Sequence, residues 1–351
     1  MADLKLNVLN HLPAGLLTAS PGQLQELLGG PTLIHLDGQR DDALFVSIML
    51  HGNEYTGLLA LQRVLKKYAT SRLPRGLSIF IGNVAAASEN LRALPGQPDY
   101  NRIWGIGDTP EHHLTQRVMD EMRRQQVFAA IDVHNNTGPN PHYALVARLD
   151  NDVFQLATLF SRTVVYTRKP DTTSTWAMST ICPAVTLECG LPGIEFGVAH
   201  ASEYIDACLH LSHIPEHPVA AHDMDLFHSV AIIKIPSEYN FSFDGSAADI
   251  VFEESLPEMN FTELSVDTRF CRFAPGTGAC LEAWDEHGRN RAEEYFYQQG
   301  DSCYVRQPIM PAMLTMEHYV VRMDCLCYMM ERLDWQHADS LPGEQVDAAG
   351  G

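Results

Sequence analysis

Short apolar runs alternate with amphipathic stretches from about residue 43 to 225. The run Ala43–Leu50 (ALFVSIML) has the length and composition of a buried strand. Thr56–Lys67 (TGLLALQRVLKK) carries its apolar positions at a spacing of three and four, which predicts a helix. Further strands are expected at Leu77–Ile81, Val127–Val133, Tyr143–Ala147 and Cys182–Glu188. Helices are expected at Pro110–Gln126, Asp152–Arg162 and His200–Leu211. Alternation of this kind predicts an α/β fold, a parallel or mixed sheet covered by helices on both faces. Beyond about Asp225 the texture changes. Ser229–Ile235, Ala248–Phe252, Ala279–Trp284 and Tyr319–Met323 read as short strands between Gly, Pro and Asp turns, with no long helix among them. The predicted organisation is a catalytic domain over 1–225, a smaller β-rich domain over 226–341 and a mobile tail over 342–351.

The chemistry sits where predicted strands end. Ala43–Leu50 runs into His51-Gly-Asn-Glu54, the strand at 127–133 into Asp132-Val-His134-Asn-Asn, and the strand from Cys182 into Thr186-Leu-Glu188-Cys-Gly. Open α/β proteins build their sites at the carboxyl edge of parallel strands. Histidine nitrogens and carboxylate oxygens are favoured zinc ligands. One His-x-x-Glu is a weak signal. Three strand ends that place His, His and Glu at one edge are much harder to obtain by chance.

The remaining composition narrows the class of protein. The chain has 351 residues, 45% hydrophobic and 19% charged, as ordinary globular proteins do. A net charge of −20 argues against nucleic acid or an anionic membrane as partner, since both require a basic face. No apolar run of about 18 residues or more is present to span a bilayer. Nor does the N-terminus, MADLKLNV, resemble a secretory leader. The eight cysteines include no Cys-x-x-Cys pair and read as reduced thiols of a cytoplasmic protein. Oligomeric state is not legible.

Taken in order, His51-Gly-Asn-Glu54, Asp99-Tyr-Asn-Arg102, Asp132-Val-His134-Asn-Asn-Thr and Thr186-Leu-Glu188-Cys-Gly resemble the motifs of the succinylglutamate desuccinylase/aspartoacylase family, a branch of the zinc carboxypeptidase superfamily. The resemblance is strong over roughly residues 43–200 and looser beyond. It implies one Zn²⁺ held by His51, Glu54 and His134, with the fourth position open as a catalytic site requires. Manganese, cobalt and iron suit the same ligands. Glu188 would be the general base, Asn101 and Arg102 the anchor for a substrate carboxylate, and Arg92 the donor to the oxyanion. Asp132 would either orient a ligand imidazole or make a turn contact. His142, in the loop after His134, is a candidate substrate contact.

The resemblance implies a hydrolase that removes the acyl group from an N-acyl amino acid or a related small amide. The alternative is a zinc carboxypeptidase acting on short or modified peptides, which would use the same residues. Only about 37 residues separate Glu188 from Asp225, little room for extended peptide subsites, and this favours the deacylase. The family's arginine before the catalytic glutamate, which reads a second carboxylate in aspartoacylase, has no counterpart: residues 174–187 contain neither arginine nor lysine.

Overall fold

A computed structural model describes residues 4–334, apart from 137 and 139. The tail expected over 342–351 lies outside the described residues. The first part contains strands β1 (Asn7–Leu9), β2 (Thr32–Leu36), β3 (Ala43–Ile48), β4 (Leu77–Ile81), β5 (Val127–His134), β6 (Tyr143–Val146), β7 (Thr163–Tyr166) and β8 (Ala184–Glu188). Its helices are α1 (Leu24–Leu28), α2 (Thr56–Lys67), α3 (Val84–Ser88), α4 (Pro110–Arg123), α5 (Asn151–Phe160), α6 (Ser174–Met178) and α7 (Glu195–His210). The C-terminal part follows with β9 (Asp225–Lys234), β10 (Phe241–Ser242), β11 (Ile250–Phe252), β12 (Arg269–Phe273) and β13 (Glu282–Trp284). It closes with α8 (Ala292–Tyr295), β14 (Phe296–Gln299), β15 (Ser302–Val305), β16 (Met310–Ala312), α9 (His318–Met323) and β17 (Cys327–Arg332).

A twelve-stranded mixed sheet runs in the order β1-β2-β4-β3-β5-β8-β6-β7-β9-β17-β16, with β13 pairing β9 off this path. Its central pairs β4–β3, β3–β5 and β5–β8 are parallel, and β6 runs antiparallel to β8. Every residue of β3, β4 and β8 is buried, as strands covered on both faces must be. Alternation along the strands sorts side chains between two cores. Leu44, Val46, Ile131, Val133, Val185 and Leu187 face the cluster built with α2, α5 and α7. Phe45, Ala130 and Ala184 face the cluster built with α4 and α6. With a period of two, Asp132, His134, Thr186 and Glu188 fall on the same face as Ala130 and Ala184.

The smaller sheet has five strands in the order β10-β11-β12-β15-β14. The change of texture at Asp225 coincides with the start of β9, yet β9 pairs in parallel with β7 and the large sheet continues into the C-terminal part. One expected strand is a helix. Tyr319–Met323 lies within α9, which places Tyr319 and Met323 one turn apart on a single side. The β-branched Val320-Val321 pair invites the strand reading, but the i, i+4 spacing of the flanking large side chains is helical. All eight cysteines are free thiols, seven of them buried. No helix among the described residues is long and apolar enough to cross a membrane.

Candidate active site

Strand register assembles the centre. Ser47 of β3 pairs with Asp132 of β5, His134 pairs with Glu188 of β8, and Glu188 pairs with Tyr143 of β6. These residues form a row across the carboxyl ends of β3, β5 and β8. His51 arrives from the loop after β3, where Met49 adopts a left-handed φ of 57°. Gly52 then passes against α3. A Cβ there would lie 2.3 Å from the backbone of Ala86 and Ala87 and 2.6 Å from the Leu91 carbonyl oxygen. Gly52→Ala is therefore expected to push the His51–Glu54 loop out of place. It should cost roughly 1–3 kcal/mol by overpacking and lower metal uptake, as read by thermal melting and metal analysis.

Glu54 lies between the two imidazoles. Its Oε1 is 2.7 Å from His51 Nδ1 and its Oε2 is 2.8 Å from His134 Nδ1. The opposite nitrogen of each ring meets another carboxylate: His51 Nε2 is 2.9 Å from Asp99 Oδ1, and His134 Nε2 is 2.9 Å from Asp132 Oδ2. Ser47 Oγ donates to Asp132 at 2.6 Å, and the Asn101 backbone N–H donates to Asp99 at 2.7 Å. Metal-bound histidines are oriented in this way, with the outer N–H given to a carboxylate. Should the set hold an ion, Asp132→Asn is expected to weaken its binding by roughly 10–100-fold, measured by equilibrium dialysis.

The donor set fits a zinc ion. One ligand atom from each of His51, Glu54 and His134 lies within 4.8 Å of the others, and all three residues are buried. Although close to Glu54, His51 Nδ1 is out of hydrogen-bond alignment and is a buried nitrogen without a partner. A lone pair so placed suits a shared cation better than a direct bond to the carboxylate. Burial would push the Glu54 carboxyl up, but the His51 charge and the hydrogen bond from His134 hold it well below the usual range. Burial likewise opposes a charge on His134, but Asp132 raises its pKa well above that of a free imidazole.

Glu188, also buried, stands at the edge of this group. Burial is the main force on it and pushes its pKa up to about 8, against the lowering influence of His134, Asn136 and Arg92. Asn136 Nδ2 donates to Glu188 at 2.5 Å. A carboxyl tuned toward neutrality beside a metal-type donor set is what a proton shuttle requires.

Arg92 reaches the centre from the loop before Asp99. It donates to Glu54 Oε1 at 3.2 Å and to Asp99 Oδ2 at 2.9 Å. The amide nitrogen of Asn101 is 3.2 Å from His134 Nε2, and its oxygen accepts from the Ser174 N–H at 2.9 Å. Arg102 donates to the Asn101 carbonyl at 2.9 Å and lines the cleft. His142 is not brought to this cleft. It precedes Tyr143 on β6, so alternation turns its ring to the opposite face of the sheet. There it lies 2.8 Å from His200, Nδ1 to Nδ1, and stacks on Phe160 and Phe196.

Reading the sequence left out Asp99 as the partner of His51, Asn136 as the partner of Glu188, and Tyr143. The Tyr143 hydroxyl is buried without a partner, on the strand position that pairs with Glu188. The alternation of Tyr143 and Leu145 against Ala144 and Val146 was the available signal for its face.

A cleft of about 830 Å³ opens over these groups, lined by His51, Glu54, Arg92, Asn101, Arg102, His134 and Glu188 among others. That is the size of a small-molecule site. The whole architecture is shared with solved structures. The succinylglutamate desuccinylase from Chromobacterium violaceum superposes with a TM-score of 0.56 at 15% identity, covering 89% of each chain. The chain has the fold of the succinylglutamate desuccinylase/aspartoacylase family. A succinylglutamate desuccinylase/aspartoacylase from Rhodobacter sphaeroides gives a TM-score of 0.54 at 12% identity, over 85% of this chain and 88% of that one. Murine aminoacylase 3 gives 0.54 at 15% identity, over 84% of this chain and 96% of that one. No family model and no curated protein matches the sequence. In the desuccinylase/aspartoacylase fold, as here, a large mixed sheet flanked by helices is joined to a smaller β-rich C-terminal part.

Proposed function

We propose that the protein is a zinc-dependent amidohydrolase that removes the acyl group from an N-acyl amino acid or a related small amide. The observation that carries this reading is the buried His51–Glu54–His134 donor set with Glu188 paired directly opposite His134 on the neighbouring strand. Structures of the same fold carry the names desuccinylase, aspartoacylase and aminoacylase, which supports the class of reaction.

His51, Glu54 and His134 would hold the ion, and Asp99 and Asp132 would fix the two imidazoles. When bound, Zn²⁺ supplies a Lewis acid that polarises the scissile carbonyl and acidifies the attacking water. Glu188 takes a proton from that water and returns it to the leaving nitrogen. The Arg92 guanidinium faces the developing oxyanion, where a preorganised donor lowers the barrier. Arg102 binds the substrate carboxylate through its planar fork. Asn101, whose side-chain oxygen accepts from the Ser174 N–H, can give its amide N–H groups to the same carboxylate.

The test is a panel of N-acetyl, N-formyl and N-succinyl amino acids beside unblocked dipeptides, assayed with zinc-loaded enzyme for release of free amine. Blocked amino acids are expected to be the better substrates. Equal or faster cleavage of dipeptides would favour a carboxypeptidase.

A further inference from the structure

The cleft walls differ sharply in chemistry. The carboxyl edge of the large sheet and the loops beside it supply most of the charged groups, whereas Leu145, Trp176, Met313 and the α9 residues Tyr319, Val320 and Met323 supply a broad apolar wall. Tyr319 and Met323 are 75% and 69% exposed, large apolar surfaces turned to the cleft and left uncovered by the other described residues. Apolar surface of this extent at the mouth of a small-molecule site is favourably covered by an apolar ligand group.

The charges on the same lining restrict the ligand further. Three cations line the cleft: Arg92, Arg102 and Lys169. Arg92 is held by Glu54 and Asp99, and Lys169 Nζ is held by Asp171 at 2.5 Å. Arg102 is the cation that forms no salt bridge among the described residues; its hydrogen bond goes to the Asn101 carbonyl. Asp324 adds a further acid to the lining. One free guanidinium matches one ligand carboxylate, and each additional buried carboxylate would be unpaired beside Asp99, Glu188 and Asp324. N-Acetylaspartate carries two carboxylates in all and N-succinylglutamate three.

Resting on the deacylase reading, we infer that the substrate is a monocarboxylate bearing an apolar group. Arg102 takes the carboxylate, and the wall completed by α9 receives the apolar group, whether that group is the amino-acid side chain or the acyl chain. The C-terminal part thereby sets specificity through Tyr319 and Met323.

Four ligands test this: N-acetyl-L-phenylalanine, N-octanoylglycine, N-acetyl-L-aspartate and N-succinyl-L-glutamate. Each is measured twice, by kcat/KM with zinc-loaded enzyme and by calorimetric binding to the zinc-loaded Glu188→Gln variant. At least one apolar monocarboxylate is expected to exceed both polycarboxylates by about tenfold or more in each measurement, and which one leads tells side chain from acyl chain. Met323→Arg, at an exposed position, is expected to narrow the ratio of N-acetylphenylalanine to N-acetylaspartate in both measurements. Tighter binding of either polycarboxylate to Glu188→Gln, or no binding of any apolar monocarboxylate, overturns the inference. Hydrolysis with a preference for polycarboxylates leaves the deacylase reading and removes this one. Binding preference for the apolar ligands without any amide cleavage does the reverse.

Discussion

Glu188→Gln is expected to leave zinc binding and the fold intact while lowering turnover of the best N-acyl amino acid by roughly 10²- to 10⁴-fold, the usual contribution of a general base. The same substitution should stabilise the metal-free protein at alkaline pH. The carboxyl of Glu188 is pushed up to about 8 in the folded state by burial, whereas an unfolded chain ionises it near 4.3, roughly the model-peptide value. Between those values the folded protein holds the extra proton, so stability falls as pH rises through the window and is lowest above pH 8. Glutamine carries no such penalty. The metal-free variant is expected to exceed the metal-free wild type above pH 8 by a few kcal/mol, on the order of 2–5, and to match it near pH 4. Thermal melting of both proteins across pH reads this directly, and parallel profiles would contradict the burial of Glu188. In the loaded enzyme a bound divalent cation favours the carboxylate, so the rising limb of kcat/KM against pH should fall at or below 8.

The second large effect is at the ligands themselves. His134→Ala removes an imidazole whose Nδ1 meets Glu54 at 2.8 Å and whose Nε2 meets Asp132 at 2.9 Å. Zinc should no longer copurify, and affinity should fall by far more than the roughly 10–100-fold expected of Asp132→Asn. Turnover should be undetectable. Two buried carboxylates each lose one partner at once, so the metal-free variant should also be destabilised, by roughly 3 kcal/mol. Zinc content by elemental analysis, together with chemical denaturation, checks both parts. A His134→Ala protein that keeps one zinc per chain would remove His134 from the ligand set.

Much of this centre is legible in the sequence because it is built on strands that are buried on both faces. Their runs are mostly apolar, so a histidine or glutamate at the end of one stands out, as at His51, His134 and Glu188. The helix Thr56–Lys67, with its apolar positions at helical spacing, and the short apolar strand Leu77–Ile81 are also legible to the residue. Residues whose role depends on tertiary convergence are not legible in this way. Asp99 lies in a loop 48 positions from His51, and no local pattern marks it as the partner of that imidazole. His142 shows how a polar residue near a site misleads: one step along β6 separates it from Tyr143, and that step reverses the face. The first strands, β1 and β2, precede the region where alternation with helices is evident, and β2 enters the sheet antiparallel to β4. In the C-terminal part, four strands rejoin the large sheet, a non-local pairing that composition cannot reveal. The misread segment, α9, is the one that brings an apolar wall to the cleft.

Titration of the metal-free enzyme with zinc, following free-amine release from an N-acyl amino acid at each addition, tests the central claim most directly. Turnover should be absent without metal, rise in proportion to added zinc and level off at one equivalent per chain, with no rise in the Glu188→Gln variant. Amine release by the metal-free protein, or by Glu188→Gln at the wild-type rate, would contradict the account.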